Sequence, residues 1–197
     1  MEKQTKWTID QSHSDISFKV RHLMISNVKG YFETFDASIY TYGHDFLSAE
    51  IDFWIDASSI ITGDAIRDKH LIGPEFFNAE LHKQINFTAS TISAANGNGV
   101  HALWGEFTLN GFTKNLKLDV TFGGIVKDPW GNEKAGFEVT GLIKRSDFGL
   151  VWNTALETGG VMVGDDVHIS CQIQLLNGGY KEPDLVDNAV VETKLVM

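Results

Sequence analysis

Eight separate stretches of this chain alternate apolar and polar residues with period two, and that repeat limits what it can fold into more than any other feature. In the first, Ile16, Phe18 and Val20 share one face while Ser17, Lys19 and Arg21 share the other, and His22 falls on the apolar face. The others run through 30–40, 49–56, 85–89, 103–109, 116–122, 137–143 and 167–175. Strict alternation marks an antiparallel strand with one wet face and one dry face. Turn signals such as Asn110-Gly111 and Pro129-Trp130-Gly131-Asn132 separate the runs, as a meander requires. Eight strands in one small domain predict an all-β, extended antiparallel barrel, the size that can just hold one ligand. A β-sandwich would satisfy the same pattern. One segment breaks it. Over 62–71, Thr62 and Asp64 are cap candidates, Ile66, His70 and Leu71 follow at helical spacing, and Gly73-Pro74 ends the run, predicting one short helix between strands three and four.

The barrel is expected over 1–177, with 178–197 as a C-terminal extension that is either a last short strand at 190–196 or loosely attached. A net charge of −10 repels phosphate backbones and anionic headgroups, which argues against nucleic-acid partners and electrostatic membrane adsorption. No apolar run approaches the roughly 20 residues of a membrane-spanning helix. The N-terminus has no apolar signal region, which points to the cytoplasm. The single cysteine, Cys171, lies in phase with Ile169 and Ile173 and reads as a small buried hydrophobe.

The inward phase collects Phe18, Val20, Phe32, Ile51, Phe53, Ile55, Phe87, Leu103, Phe107, Leu118, Val120, Phe137, Val139, Ile169 and Ile173. Gly141 and Ala89 occupy the same phase, and their small size is expected to leave room in the lumen. Such a face either encloses an apolar ligand or fills its own interior. No nucleophile elbow, phosphate-binding glycine loop or dinucleotide fingerprint is present, so no catalytic residue is assigned. The histidines show no helical metal-ligand spacing, and no metal or required cofactor is expected.

Five segments, in order, resemble the YceI family: 7–14 (Trp-Thr-Ile-Asp-Gln-Ser-His-Ser), 18–23, 67–71 (Arg-Asp-Lys-His-Leu), 105–113 and 145–149 (Arg-Ser-Asp-Phe-Gly). The resemblance spans about residues 7 to 176. It implies a lipocalin-like barrel that holds a polyisoprenoid or similar amphiphilic lipid, such as a quinone or prenyl phosphate. Where the family often has an aromatic-proline pair before the fourth strand, this chain reads Leu81-His82-Lys83-Gln84.

Four polar side chains are candidates for a ligand head group. His22 is either a lumen donor or a core histidine bonded to its neighbours. His13, beside Ser12, Ser14 and Asp15, either meets a head group or closes a turn. Arg67 could grip a diphosphate or quinone oxygen, with His70 beside it, or clamp the helix to the barrel. Carriage or storage of a lipid is the expected function. An enzyme or redox partner acting on that lipid, and a ligand-free interaction scaffold, are the alternatives. Trp54, on an otherwise acidic outward face, hints at a scaffold contact or a homodimer.

Overall fold

A computed structural model describes residues 4–155 and 161–178; apart from Gly178, the expected C-terminal extension lies outside them. The strands are β1 (Gln4–Ile9), β2 (Asp15–His22), β3 (Ser26–Phe32), β4 (Phe35–Tyr42), β5 (Asp45–Asp56), β6 (Ile60–Ile61), β7 (Gln84–Ile92), β8 (Val100–Leu109), β9 (Phe112–Lys127), β10 (Glu133–Lys144) and β11 (Val163–Asn177). One helix, α1 (Ala65–Ile72), sits between β6 and β7. The ring runs β1-β4-β5-β7-β8-β9-β10-β11, and β11 pairs back with β1, so the sheet closes. That closure decides for the barrel over the sandwich.

Two strands of the ring are broken in the middle. β1 and β2 both lie antiparallel to β11, through Trp7↔Asn177 to Ile9↔Leu175 and then Asp15↔Gln172 to Val20↔Val167. β4 and β3 follow them, so 4–22 and 26–42 are each one long interrupted strand. The alternation in the sequence located β2 and missed β1, where Trp7 and Ile9 are the only two buried residues of a six-residue strand.

The first break is fastened by Asp10. Its carboxylate accepts from Ser12 Oγ at 2.7 Å, His13 Nδ1 at 2.9 Å, Gln174 Nε2 at 2.9 Å and Lys134 Nζ at 3.1 Å. Partial burial opposes ionisation, but these four donors outweigh it and hold the carboxyl far below its ordinary value of 3.8. The Ser14 hydroxyl accepts from the Gln174 backbone N–H at 3.0 Å, so β11 is gripped on both sides of the break.

Register places the inward residues in rows. Ala37, Phe53, Phe87 and Phe107 are successive neighbours across four strands, as are Ile39, Ile51, Ala89 and Gly105. The expectation that small inward residues leave lumen space is corrected here. A Cβ on Gly141 would lie 2.5 Å from Leu118 Cδ2, so Leu118 already occupies that space. Ala89 is buried among Phe87, Leu103, Leu118 and Val120. Gly30 and Gly105 likewise sit under the rings of Phe18 and Phe87. The glycines let aromatic rings lie flat on the wall.

The helix forms as the sequence predicts. Asp64 caps it by accepting from the Ile66 and Arg67 backbone N–H groups at 3.0 and 3.1 Å, and Gly73 ends it. One end of the barrel is plugged by Trp7, fully buried, whose Nε1–H donates to Thr41 Oγ1 at 2.9 Å. Phe46 stacks against it at 5.0 Å and meets Phe137 at 4.9 Å.

Two outcomes test this account. Asp10→Ala is expected to cost about 2–3 kcal/mol in urea unfolding, because charge-assisted bonds from three chain segments lose their acceptor. The depressed pKa gives a sign: the stability Asp10 supplies is complete above about pH 3.8 and drains away as pH falls below it, so the variant should show a flatter acid limb. Gly105→Ala should destabilise by about 1–3 kcal/mol, since its Cβ would sit 2.5 Å from the Thr88 carbonyl oxygen, which cannot withdraw; thermal melting reads this.

Candidate functional site

The barrel encloses a cavity of about 270 Å³ that runs along its length. At one end its wall is formed by Phe46, Phe137, Ile173 and Leu175, and at the other by Leu71, Phe76, Phe77, Leu150 and Val163. All fifteen residues read from the sequence as inward-facing line this space: Phe18, Val20, Phe32, Ile51, Phe53, Ile55, Phe87, Leu103, Phe107, Leu118, Val120, Phe137, Val139, Ile169 and Ile173. The rest of the wall is apolar apart from Ser17, Asn86 and Arg145. Ser17 and Asn86 alternate with inward residues, and the Ser17 hydroxyl donates to the Ser170 carbonyl at 2.6 Å. Among the described residues, Arg145 is therefore the one charged side chain on the wall.

Arg145 is 7% exposed, and its charge is met by carbonyls rather than by a carboxylate at hydrogen-bond distance. Nε donates to Gly164 O at 2.9 Å, Nη1 to Leu150 O and to Trp152 O at 2.8 Å, and Nη2 to Val163 O at 3.3 Å. Burial lowers the guanidinium's pKa from its ordinary value while the Asp165 carboxylate opposes that shift. Asp165 itself accepts from the Ser146 hydroxyl at 2.9 Å and backbone N–H at 3.0 Å. One side chain thus ties the segment after β10 to the start of β11, close in sequence to Phe148 and Leu150, which are 3% and 5% exposed. The signal for it lay in the sequence, as a cation directly following an alternating strand, within a segment that carried the family resemblance.

The four head-group candidates are scattered, and none lines the cavity. His13 is exposed and belongs to the Asp10 cluster. His22 is half-buried at the end of β2, opposite Ser26 on β3 and Val163 on β11, and its ring has no hydrogen-bond partner among the described residues. Arg67 donates from Nε to Thr62 Oγ1 at 2.7 Å and from Nη2 to Thr62 O at 2.8 Å. Thr62 in turn donates its backbone N–H to Asp68 Oδ1 at 2.9 Å, so Arg67 and Asp68 clamp the helix start through Thr62 rather than through each other. His70 pairs with Glu75 at 2.8 Å and stands edge-on to Phe76 and Trp152, with ring centroids 5.1 and 5.0 Å away. It backs the wall residue Phe76 from outside.

Cys171 lines the cavity between Ile16 and Val139, and burial pushes its thiol up to about 12. Trp54 is half-buried between its strand neighbours Asp36 and Asn86, while Trp104 and Trp130 are the exposed tryptophans. His82, from the segment that departs from the family pattern, packs under the Asn110-Gly111 turn, where a Cβ on Gly111 would meet its ring at 2.8 Å. Among the described residues, no three His, Cys, Asp or Glu side chains converge as a metal site would need, and no helix is long and apolar enough to cross a membrane.

Comparison with known proteins follows this geometry. A UPF0312 protein of Staphylococcus epidermidis is 42% identical over 164 residues, covering 83% of this chain and 92% of its own length. A UPF0312 protein of Staphylococcus aureus strain MSSA476 is 38% identical over the same coverage. Among solved structures, the Campylobacter jejuni YceI protein superposes with a TM-score of 0.66 at 31% identity, covering 88% of this chain and 96% of that one. A polyisoprenoid binding domain from Saccharophagus degradans shares the fold at 15% identity, with a TM-score of 0.60 over 87% of this chain and 98% of its own. The YceI-like domain matches residues 7–175, and the chain belongs to the YceI-like family.

Proposed function

We propose that the protein binds a long polyisoprenoid or similar amphiphilic lipid by its tail, and carries or stores it. The observation that supports this most is the cavity wall. It is apolar from end to end, and its one cation has spent its donors on backbone carbonyls. An apolar channel of this kind stabilises a hydrocarbon by about 0.8 kcal/mol per buried CH₂, so even partial insertion of a prenyl chain reaches micromolar binding. It offers nothing to a polar head, which is left to the rim. The polyisoprenoid binding domain of Saccharophagus degradans, which shares the fold, supports the ligand class. A prenyl phosphate or an isoprenoid quinone meets the description equally, since both couple a branched apolar tail to a polar head.

The reading makes two measurable claims. Mass spectrometry of an organic extract from protein purified without detergent should find a prenyl lipid at near-equimolar amount; an empty extract from well-folded protein overturns the reading. Val139→Trp, which places an indole in the middle of the wall beside Cys171 and Val120, should reduce the extracted lipid severalfold while the far-ultraviolet circular dichroism stays that of a β-barrel. Unchanged lipid content in that variant would place the ligand outside the lumen.

A further inference from the structure

We infer that the β2–β3 hairpin and the rim beside it form a docking surface for an anionic lipid bilayer; the inference rests on the lipid-binding reading and adds how the cavity meets its source. The hairpin breaks two local rules at once. Its turn residues Leu23 and Met24 are both left-handed, with φ of 50° and 62°. The turn is closed by Ile25 N–H donating to His22 O at 3.2 Å, and Arg21 Nε and Nη2 hold the Met24 carbonyl at 3.1 and 2.8 Å. The β8–β9 hairpin of the same barrel meets the same demand with Asn110 and Gly111, residues suited to it. Here the demand falls on two large apolar side chains, and Met24 and Ile25 stand 52% and 79% exposed.

The second rule concerns charge. Lys19 and Lys29 face each other directly across the two strands, a like-charge pairing that weakens a sheet. From residue 16 to residue 32 the chain carries Lys19, Arg21 and Lys29 and no acid, although the whole molecule has a net charge of −10. Neither lysine makes an ion pair among the described residues. An apolar tip set between unpaired cations costs the isolated fold stability and matches a membrane interface, where the tip enters the acyl boundary and the lysines meet phosphate.

The position fits a lipid carrier. Leu23 N–H donates to Met162 O at 2.7 Å, which places the tip against the segment leading into β11. Val151 and Val161 are 69% and 39% exposed in that region, next to or two residues from the cavity-lining Leu150 and Val163. Ile66, 85% exposed, extends the rim onto α1, whose His70 touches Trp152. Exposed apolar residues therefore lie beside cavity-lining ones in the chain at this end, where a tail leaving a bilayer would enter. The opposite end also exposes apolar residues, Tyr42, Leu47, Phe122, Val126 and Trp130, but it is sealed by the buried Trp7 with Phe46, and Trp130 is flanked by Asp128 and Glu133, whose hydrogen bonds keep them ionised.

Flotation of the full chain with vesicles of phosphatidylcholine, with and without phosphatidylglycerol, tests this. Binding is expected to require phosphatidylglycerol and to weaken with salt. It should drop about tenfold in the double variant Met24→Glu with Ile25→Glu, and remain unchanged in Trp130→Ala. Lys19→Gln with Lys29→Gln should lower vesicle binding and raise the melting temperature together, opposite signs that a purely structural role for the lysines would not give. No flotation of the full chain, flotation only after removal of 179–197, or loss only in Trp130→Ala each overturns the proposal. The two readings part cleanly: lipid in the extract without vesicle binding removes the docking surface alone, whereas an empty extract removes the lipid-binding reading itself.

Discussion

The pairing of β1 with β11 makes a container out of a sheet. It rests on three residue pairs, Trp7↔Asn177, Thr8↔Leu176 and Ile9↔Leu175, far fewer than the eleven that join β10 to β11. Without that short seam the sheet has two open edges and its apolar face meets water. The seam is held in place by what lies at its ends. On one side Trp7 is wholly buried and hydrogen-bonded; on the other Asp10 gathers donors from β10, β11 and its own turn. A carboxylate with four donors is a strong fastener because removing it strands two partly buried donors, Lys134 and Gln174, together. The Asp-Gln-Ser-His-Ser stretch, conspicuous in the sequence, serves this closure before it serves anything else.

The fold was largely legible because period-two alternation is a direct imprint of which face of a strand meets water. All fifteen large apolar residues assigned to the inward phase reached the cavity wall, while Ala89, Gly141 and His22, which share that phase, did not. The helix cap at Asp64 and the Asn110-Gly111 turn were equally readable, since each depends on one residue's own chemistry. What escaped depends on tertiary partners. β1 is too short to show alternation, and the lysine and glutamine that meet Asp10 lie more than 120 residues away. The head-group candidates illustrate the same limit. Their residue types were suggestive, but Arg67 turned to Thr62, His70 to Glu75 and His13 to Asp10, each satisfied by a neighbour within five residues. Arg145 met the wall because β10 ends there; the end of the alternating run marked the position, but the carbonyls that hold it come from the later segments 150–152 and 163–164.

Room in the lumen follows a similar logic. Small inward residues do not create space by themselves, because a neighbouring ring folds over them. Phe18 lies on Gly30, Phe87 on Gly105 and Leu118 on Gly141. The cavity is the volume left after these side chains have flattened against the wall, and its shape is set by ring orientation as much as by strand number.

Cys171 carries a consequence for chemistry inside the barrel. With its thiol held near 12, on the order of one molecule in 10⁵ is a thiolate at neutral pH, so the sulfur is a poor nucleophile toward anything dissolved in water. Its surroundings are nevertheless apolar. An electrophile or oxidant reaches it only by first partitioning into the lumen, and the selectivity of that encounter is governed by solubility in oil rather than by charge or by thiolate supply. A resident tail, by filling the same volume, would shield the sulfur as a stopper shields the contents of a flask.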